Sequence, residues 1–485
     1  MLTQVVLAQS VSVPAGTLDY LYIPVHIRNK SCSSGRRRRV GEAVELLPTL
    51  ATMIVAPAHE RCFRSIMGKL EPSSDSHNQG VSVAQATLTI AKTCIGGGVL
   101  ALPYAHLQGG VLAVPAMLLL GLWNWLTSRQ LLESYEALSD CERRGTHTGY
   151  SAVAHAALGQ GGVILFDLSI SMLLTGVCSS MQVQAAHLVE PYLQLPVGDA
   201  YTVLVLLGSI CLVPLALLRD LSRLAVVSGV GLVVIGVGLL AVASSGITRF
   251  GVPPPPPELL RIPDLTGLAT FFSIASFSFG MQTNLLPVRD GMREPHRAPE
   301  VATYALLLVV FTNASIGVGL AWLYAGGNRT VEQIILLNLP PHSLPAYTVE
   351  FSTAAVALLG YPLLMLPVMQ LLPTRMPMAL RGDGSAGPAL RLGFLACTTV
   401  LALLLRQFAV VASLCGCLTI FVCLVLPPLC HLRLCSWPPK DRQPTAVGGA
   451  SAQGLAVATL DLVILIFGAC SFAYFTAAAL HWDPH

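Results

Sequence analysis

Three consecutive glycines and a proline interrupt one apolar segment, in the stretch Lys92-Thr93-Cys94-Ile95-Gly96-Gly97-Gly98-Val99-Leu100-Ala101-Leu102-Pro103. Glycine costs a helix about 1 kcal/mol relative to alanine, and proline costs about 3 kcal/mol. The stretch therefore predicts a helix that opens at the glycines. Because open backbone at membrane depth is tolerated only where it lines a cavity or is buried in protein, we expect a binding site at this break.

A second apolar segment carries the same interruption. It reads Phe277-Ser278-Phe279-Gly280-Met281-Gln282-Thr283-Asn284-Leu285-Leu286-Pro287, and Gly280 stands as far before Pro287 as Gly96 stands before Pro103. Paired broken helices at matching places in two halves are typical of transporters built from inverted repeats. The N-terminus of a half-helix attracts a carboxylate and its C-terminus attracts a cation, so an amino acid zwitterion would satisfy both ends. Close helix packing through small residues is the alternative explanation.

The rest of the chain has the composition of a membrane protein. Of its 485 residues, 54% are hydrophobic and only 11% are charged, whereas soluble domains are about a quarter charged. A spanning helix needs about 20 apolar residues, and this length predicts an all-α polytopic protein of about eleven spans. The predicted spans are 84–105, 110–131, 162–186, 201–218, 223–245, 267–288, 303–325, 349–372, 389–406, 408–430 and 456–480. A further helix is expected within 147–159.

Positive charge on the loops predicts the orientation, because cytosolic loops carry the excess of Lys and Arg. Arg36–Arg39, Arg143 with Arg144, and Arg289 with Arg293 fall on one side, together with the N-terminus. The opposite, non-cytosolic side carries the glycosylation sequon Asn328-Arg329-Thr330. We therefore predict a cytosolic N-terminus, a non-cytosolic C-terminus and a glycan on Asn328.

At this point the sequence resembles a known family. The stretch from Lys92 to Ala105 is similar to the first-helix signature of amino acid/auxin permease-type transporters, in their proton-coupled and vacuolar-like branch. Four later stretches resemble the same family in order along the chain. They are Leu286 to Pro295, Leu337-Asn338-Leu339-Pro340, Tyr361-Pro362-Leu363, and Ser413 to Gly416 followed by Leu426-Pro427-Pro428.

The resemblance implies a LeuT-like fold of five plus five inverted helices and one extra helix, with the first and sixth helices broken. It places the amino acid transporter transmembrane domain at 82–480. A cytosolic, largely disordered tail at 1–81 and a short non-cytosolic tail at 481–485 flank it. Carried over by position, the substrate-binding candidates are Thr93, Cys94, Gly96, Gly97, Gly98, Met172, Thr175, Phe277, Phe279, Gly280 and Gln282.

Lys92 is the first candidate for coupling to an ion. An ammonium group inside a span costs about 2.5–3.5 kcal/mol on insertion scales and is a functional candidate by default. At this position the chain resembles the proton-coupled branch in carrying a lysine. A sodium-coupled protein is expected to carry a neutral oxygen ligand there. Snorkelling of Lys92 to the cytosolic interface is the alternative. The chain departs from the proton-coupled pattern at Gly280, where an acidic residue is expected.

Other ionisable groups lie near or within the predicted spans. They are Asp167, His187, Glu350 and Asp461, and of these we take Glu350 as the second ion-coupling candidate.

Together these features predict a secondary active transporter of amino acids, neutral in side chain, that works by alternating access, linked to protons and independent of sodium. A sodium-coupled symporter and an amino acid sensor that signals through the N-terminal tail remain alternatives. The expected partners are an amino acid, a proton or sodium ion, and the lipid bilayer of a vacuolar, lysosome-like or plasma membrane, with no nucleic acid. No HExxH, GxSxG or P-loop motif predicts an enzyme or a cofactor, and Cys415-Gly416-Cys417, without a nearby histidine, is not predicted to hold a metal.

Overall fold

Helices account for nearly all of the chain that the computed structural model describes, which comprises residues 80–143, 149–193, 199–217, 224–375, 386–436 and 452–480. The helices are α1 (Val83–Cys94), α2 (Leu102–Gly109), α3 (Ala113–Glu136), α4 (Gly149–Val189), α5 (Ala200–Leu217), α6 (Leu224–Phe250), α7 (Leu265–Phe277), α8 (Gln282–Asp290), α9 (Ala298–Gly326), α10 (Leu344–Arg375), α11 (Ala386–Leu404), α12 (Phe408–Ile420), α13 (Leu426–His431) and α14 (Ala452–Leu480).

Nine helical segments in the described residues are long and apolar enough to cross a membrane. One of them, Gly97–Glu136, contains both α2 and α3, which meet at Gly110 in a turn with φ of 50°. Two broken spans, α1 with α2 and α7 with α8, stand beside these uninterrupted ones. When α3 is counted as the uninterrupted span of its segment, the described part of the chain contains eleven spans, as predicted.

Both predicted breaks are present. Helix α1 ends at Cys94, Ile95 and Gly96 leave helical geometry, and a 3₁₀ turn at Gly97–Ala101 leads into α2. Helix α7 ends at Phe277, and α8 begins at Gln282. The prediction of an all-α membrane protein with broken first and sixth spans is therefore confirmed.

The two broken spans run antiparallel to each other. Helix α2 packs against α7, and α1 packs against α8, so that the first half of each span meets the second half of the other. A short parallel bridge reinforces one end, where the amide of Val81 donates to Gly291 at 2.9 Å and the amide of Arg293 donates to Val81 at 3.1 Å. This arrangement agrees with the inverted, LeuT-like organisation that the resemblance implies.

Two local predictions are also met. The helix expected within 147–159 begins at Gly149 in the described residues and continues into the third span through a kink at Gly159, where φ is 64°. The ninth and tenth spans are separate, because α11 ends at Leu404 and α12 begins at Phe408. The N-terminal tail before residue 80 and the C-terminal tail at 481–485 lie outside the described residues and stay predictions.

Helix α12 crosses α7 at very short range. A side chain at Gly416 would overlap the carbonyl oxygen of Ser273 on α7. Beside it, the thiol of Cys417 donates to the Ser273 hydroxyl at 3.6 Å. Small residues let membrane helices approach this closely, and the crossing holds α12 against the half-helix that leads to the second break.

We expect Gly416→Ala to lower the melting temperature of the detergent-purified protein. An added methyl group cannot be accommodated against backbone, and overpacking typically costs about 1–3 kcal/mol. The control is Gly393→Ala in α11, where an added Cβ meets no atom within 4 Å and the gain in helix propensity is up to about 1 kcal/mol. Equal melting temperatures for the two variants would contradict the close crossing.

Candidate functional site

The two helix breaks touch each other. An ideal Cβ at Gly98 would lie 2.8 Å from Cδ1 of Phe277 and 3.0 Å from the hydroxyl of Ser278. Real side chains almost never come this close, so only glycine fits at position 98 without a shift of the second break. The structure therefore brings together Gly98 and Phe277, two of the substrate-binding candidates.

Helices α4 and α12 form the walls beside these breaks. A Cβ at Gly97 would lie 2.9 Å from Oε1 of Gln184 on α4, and a Cβ at Gly280 would lie 3.8 Å from the methyl group of Thr419 on α12. The two walls also meet, since a Cβ at Gly176 would lie 2.7 Å from the Cys415 sulfur. Four spans thus converge on the interrupted backbone.

Gly96 differs from its two neighbours because it faces open space. No atom lies within 4 Å of a Cβ built there, and its φ of −128° suits any residue. Immediately after it begins the 3₁₀ turn that leads into α2, and the first N–H groups of a helix have no acceptor within it. A helix start carries partial positive charge and favours anions, so the space beside Gly96 suits a carboxylate.

Several polar atoms around the breaks are buried without a hydrogen-bond partner. They are Ser276 Oγ, Ser278 Oγ, Gln282 Oε1 and Lys92 Nζ. A buried polar group without a partner costs about 1–3 kcal/mol, and a charged group costs more. Such groups are candidates for contact with a bound substrate, an ion or water.

The candidates on α1 occupy different environments. Lys92 is half-buried and its ammonium is enclosed, on a half-helix that packs against α8 and α9. The Cys94 side chain is only 3% exposed. Thr93 is exposed, and its hydroxyl donates to the carbonyl of Ile90 at 2.7 Å, so that in this conformation it serves its own helix.

On the second broken span, Phe279 and Gln282 are engaged in packing. Phe279 is 1% exposed and belongs to the main core. The Gln282 amide nitrogen donates to Asn124 Oδ1 at 3.0 Å and to the hydroxyl of Thr127 at 3.2 Å. Gln282 therefore ties the start of α8 to α3, while its amide oxygen remains without a partner.

The two candidates on α4 do not face the breaks in the way that Gln184 does. Met172 is 51% exposed and continues an exposed apolar stripe that includes Ile164 and Leu168. The hydroxyl of Thr175 donates to the carbonyl of Ser171 at 2.7 Å. Helical spacing alone does not determine which face of α4 is turned toward the breaks.

Glu350 lies near the start of α10 and is 3% exposed. Its carboxylate faces the hydroxyl of Tyr192, and the Tyr192 ring packs against Tyr347 and Phe351 at ring-centroid distances of 4.4 and 5.4 Å. A cavity of about 270 Å³ lies nearby, between α4, α5 and α10, and is lined almost wholly by apolar residues. Glu350 thus belongs to a cluster at the ends of α4 and α10.

Comparison with known proteins agrees with this geometry. The family described as transmembrane amino acid transporter protein matches residues 79–480. The chain belongs to this family. The match covers both broken spans, all of the walls and every helix from α1 to α14.

Individual relatives are distant. Amino acid transporter AVT1D of Arabidopsis thaliana is 23% identical over 372 residues, which cover 73% of this chain and 64% of that protein. Vacuolar amino acid transporter 4 of Saccharomyces cerevisiae is 25% identical over 376 residues, which cover 73% of this chain and 48% of the yeast protein. The chain thus spans less than two thirds of the length of either relative.

Among solved structures, the crystal structure of a manganese transporter from Eremococcus coleocola is similar to 86% of this chain and 93% of its own. The sequence identity is 10% and the TM-score is 0.48. This degree of likeness assigns neither a substrate nor an ion.

Sequence reasoning missed two residues that the structure places at the breaks, namely Gln184 and Thr419. Gln184 had a visible signal, because it and Gln182 are amide side chains inside a predicted span. Thr419 had none, because small hydroxyl residues are common in membrane helices and usually bond to their own backbone.

Asn328 lies in an exposed turn just after α9, with φ of 55°. Asn313, in another sequon match, is fully buried within α9. We expect Asn328→Gln to remove the mobility shift caused by N-glycosidase in protein expressed in eukaryotic cells. The control Asn313→Gln should leave that shift unchanged, and a shift that survives Asn328→Gln would contradict the orientation predicted for this loop.

Proposed function

We propose that this protein is a secondary active transporter that moves neutral amino acids by alternating access, coupled to protons and independent of sodium. The observation that carries the proposal is the direct contact between two antiparallel broken helices, with open space at Gly96 beside a helix start. Membership of the amino acid transporter family supports the class of substrate.

The site favours the backbone groups of an amino acid. The helix start after Gly96 attracts the carboxylate, and the carbonyl ends of α1 and α7 attract the ammonium group. Apolar and small groups line the remainder, including the ring of Phe277 and the methyl group of Thr419. The side chains closest to the glycines of the breaks, those of Gln184, Phe277, Ser278 and Thr419, are uncharged, which supports a neutral substrate side chain.

Lys92 supports independence from sodium. Its enclosed ammonium lies without a hydrogen-bond partner about one turn before the first break. A fixed positive charge repels a second cation, so it disfavours sodium at the same place. One relative, a putative sodium-coupled neutral amino acid transporter of Xenopus laevis that is 24% identical over 365 residues, keeps sodium coupling as the alternative.

Alternating access requires contacts that close one end of the pathway and can open again. The ends of α3 and α8 are joined by such contacts, since the Tyr135 hydroxyl donates to Asp290 at 2.9 Å and Arg289 lies 3.5 Å from Glu136. Arg289 also lies over the Tyr135 ring at 5.1 Å. These polar contacts, together with the Val81 bridge, hold the pathway closed on the side that the loop charges predict to be cytosolic.

The relatives support a proposal for the host membrane. Vacuolar proteins of yeast are among them, and an acidic vacuolar or lysosome-like lumen supplies the proton gradient that the proposal needs. We therefore propose a vacuolar or lysosome-like membrane.

The first experiment offers labelled amino acids to proteoliposomes that contain the purified protein, under either a pH gradient or a sodium gradient. Accumulation that follows the pH gradient is the expected result. Accumulation that requires sodium would overturn the ion assignment and retain the substrate class. Binding without uptake would indicate an amino acid sensor.

We expect Gly96→Ala to weaken amino acid binding without destabilising the protein. The added methyl group meets no atom of the protein, but it occupies the space proposed for the substrate carboxylate. Substrate-induced thermal shift measures binding, and the melting temperature without substrate measures stability. Gly319→Ala in α9, which is also free of contacts, is the matched control, and unchanged binding by Gly96→Ala would place the substrate elsewhere.

We expect Lys92→Met to raise the melting temperature and to abolish accumulation driven by the pH gradient. Methionine keeps much of the apolar stem and removes an unpaired buried charge, whose burial is costly. Opposite changes in stability and transport are the signature of a group retained for function. A fall in both, measured by thermal melting and proteoliposome uptake, would indicate a purely structural lysine.

A further inference from the structure

A cluster of ionisable side chains joins α3, α13 and α14, away from the helix breaks. His431 Nδ1 lies 2.8 Å from Asp461 Oδ2, and His431 Nε2 lies 3.2 Å from Glu133 Oε2. We propose that this triad is the proton-binding site of the transporter. The inference rests on the proposed proton linkage and deepens it by naming the groups that carry the proton.

Burying these ionisable side chains is costly, which argues against a cluster without a function. The side chains of His431 and Asp461 are 3% and 1% exposed, and both lie within segments apolar enough to span a membrane, Phe408–Cys435 and Val457–Ala479. Ionisable groups inside spans are rare and mark ion or proton pathways. Any of many apolar pairs would join the same helices at lower cost.

The geometry of His431 supports two protonation states. Both ring nitrogens face carboxylate oxygens, and a neutral imidazole has only one N–H to donate. The imidazolium form donates to both carboxylates, and the triad then carries one net negative charge. One further proton on a carboxylate makes the triad neutral, so the site binds and releases a proton without losing its framework.

Exposure to solvent falls from Glu133 to Asp461, as a proton path that leads inward from the surface requires. Glu133 is 52% exposed and lies 4.0 Å from Arg129 at the surface, whereas Asp461 is almost fully enclosed. Gln130 closes the inner end by donating to Asp461 Oδ1 at 2.8 Å. The other titratable group recorded against His431 is the thiol of Cys435 on its own span.

Helix α3 connects the triad to the second helix break. Its residues Asn124, Thr127, Gln130 and Glu133 recur every third position, so each is a surface neighbour of the next in a row that winds about half-way round the helix. The first two accept hydrogen bonds from Gln282 at the start of α8. Gln130 donates to Asp461, and Glu133 is itself a member of the triad. A polar ridge of about 14 Å thus links the proposed proton site with the proposed substrate site.

The test separates driven accumulation from exchange. Wild type and the variants Asp461→Asn, His431→Gln and Glu133→Gln are placed in proteoliposomes. Accumulation of a labelled amino acid under a pH gradient is compared with exchange of labelled for unlabelled amino acid at equal pH. The control is Asp167→Asn, the same change at a carboxylate in α4 that is 7% exposed.

We expect Asp461→Asn to lower pH-driven accumulation by about tenfold or more, within the usual range of coupling energies, while exchange stays near wild type. Glu133→Gln, at a half-exposed position that tolerates the change, should shift the pH dependence of uptake to lower pH because the triad loses a negative group. Asp167→Asn should leave both readouts unchanged.

Three results would overturn the inference. The first is full pH-driven accumulation by Asp461→Asn and His431→Gln. The second is an equal fall in accumulation and exchange with an unshifted pH profile in Glu133→Gln, which indicates a structural tie between α3 and α14. The third is loss of driven accumulation in Asp167→Asn alone. Wild-type protein that transports without any response to pH would overturn proton linkage itself, which is a distinguishable failure.

Discussion

The contact between Gly98 and the Phe277–Ser278 segment is the constraint on which much of this structure depends. Two stretches of backbone leave helical geometry in the apolar part of the chain. Lipid could not satisfy the hydrogen-bonding groups of this open backbone, and each stretch covers the other. A side chain at position 98 would require Phe277 or Ser278 to shift. A second close crossing, at Gly416 on α12, lies against Ser273 of the same helix α7.

The same contact separates two kinds of glycine that look alike in sequence. Protein atoms occupy the space that a side chain at Gly98 or Gly416 would need, so both glycines are required for packing. Gly96 meets nothing, and its backbone angles are open to any residue. The packing explanation of the glycines fits Gly98, while Gly96 is the position at which we propose that the substrate approaches the helix start.

The fold was largely predictable because length, hydropathy and the cost of glycine and proline in helices are local properties. They located eleven spans and both breaks, as the structure has them. The site was only partly predictable. Which face of α4 turns inward depends on packing, so that Met172 was chosen where Gln184 contacts the break. The role of Gln282 as a tie to α3 depends on residues about 155 positions away.

The His431 triad shows the same limit of prediction from sequence. Asp461 was visible in the sequence as an acidic residue inside a span, but its partners lie on two other helices and are 30 and 331 residues distant along the chain. Only the three-residue recurrence of polar groups on α3 is local. That ridge is informative because a helix surrounded by lipid gains nothing from a polar row, whereas a helix that relays between two buried polar sites requires one. Because Gln282 contacts one end of the ridge and Asp461 the other, α3 is the element that connects the break with the proposed proton site.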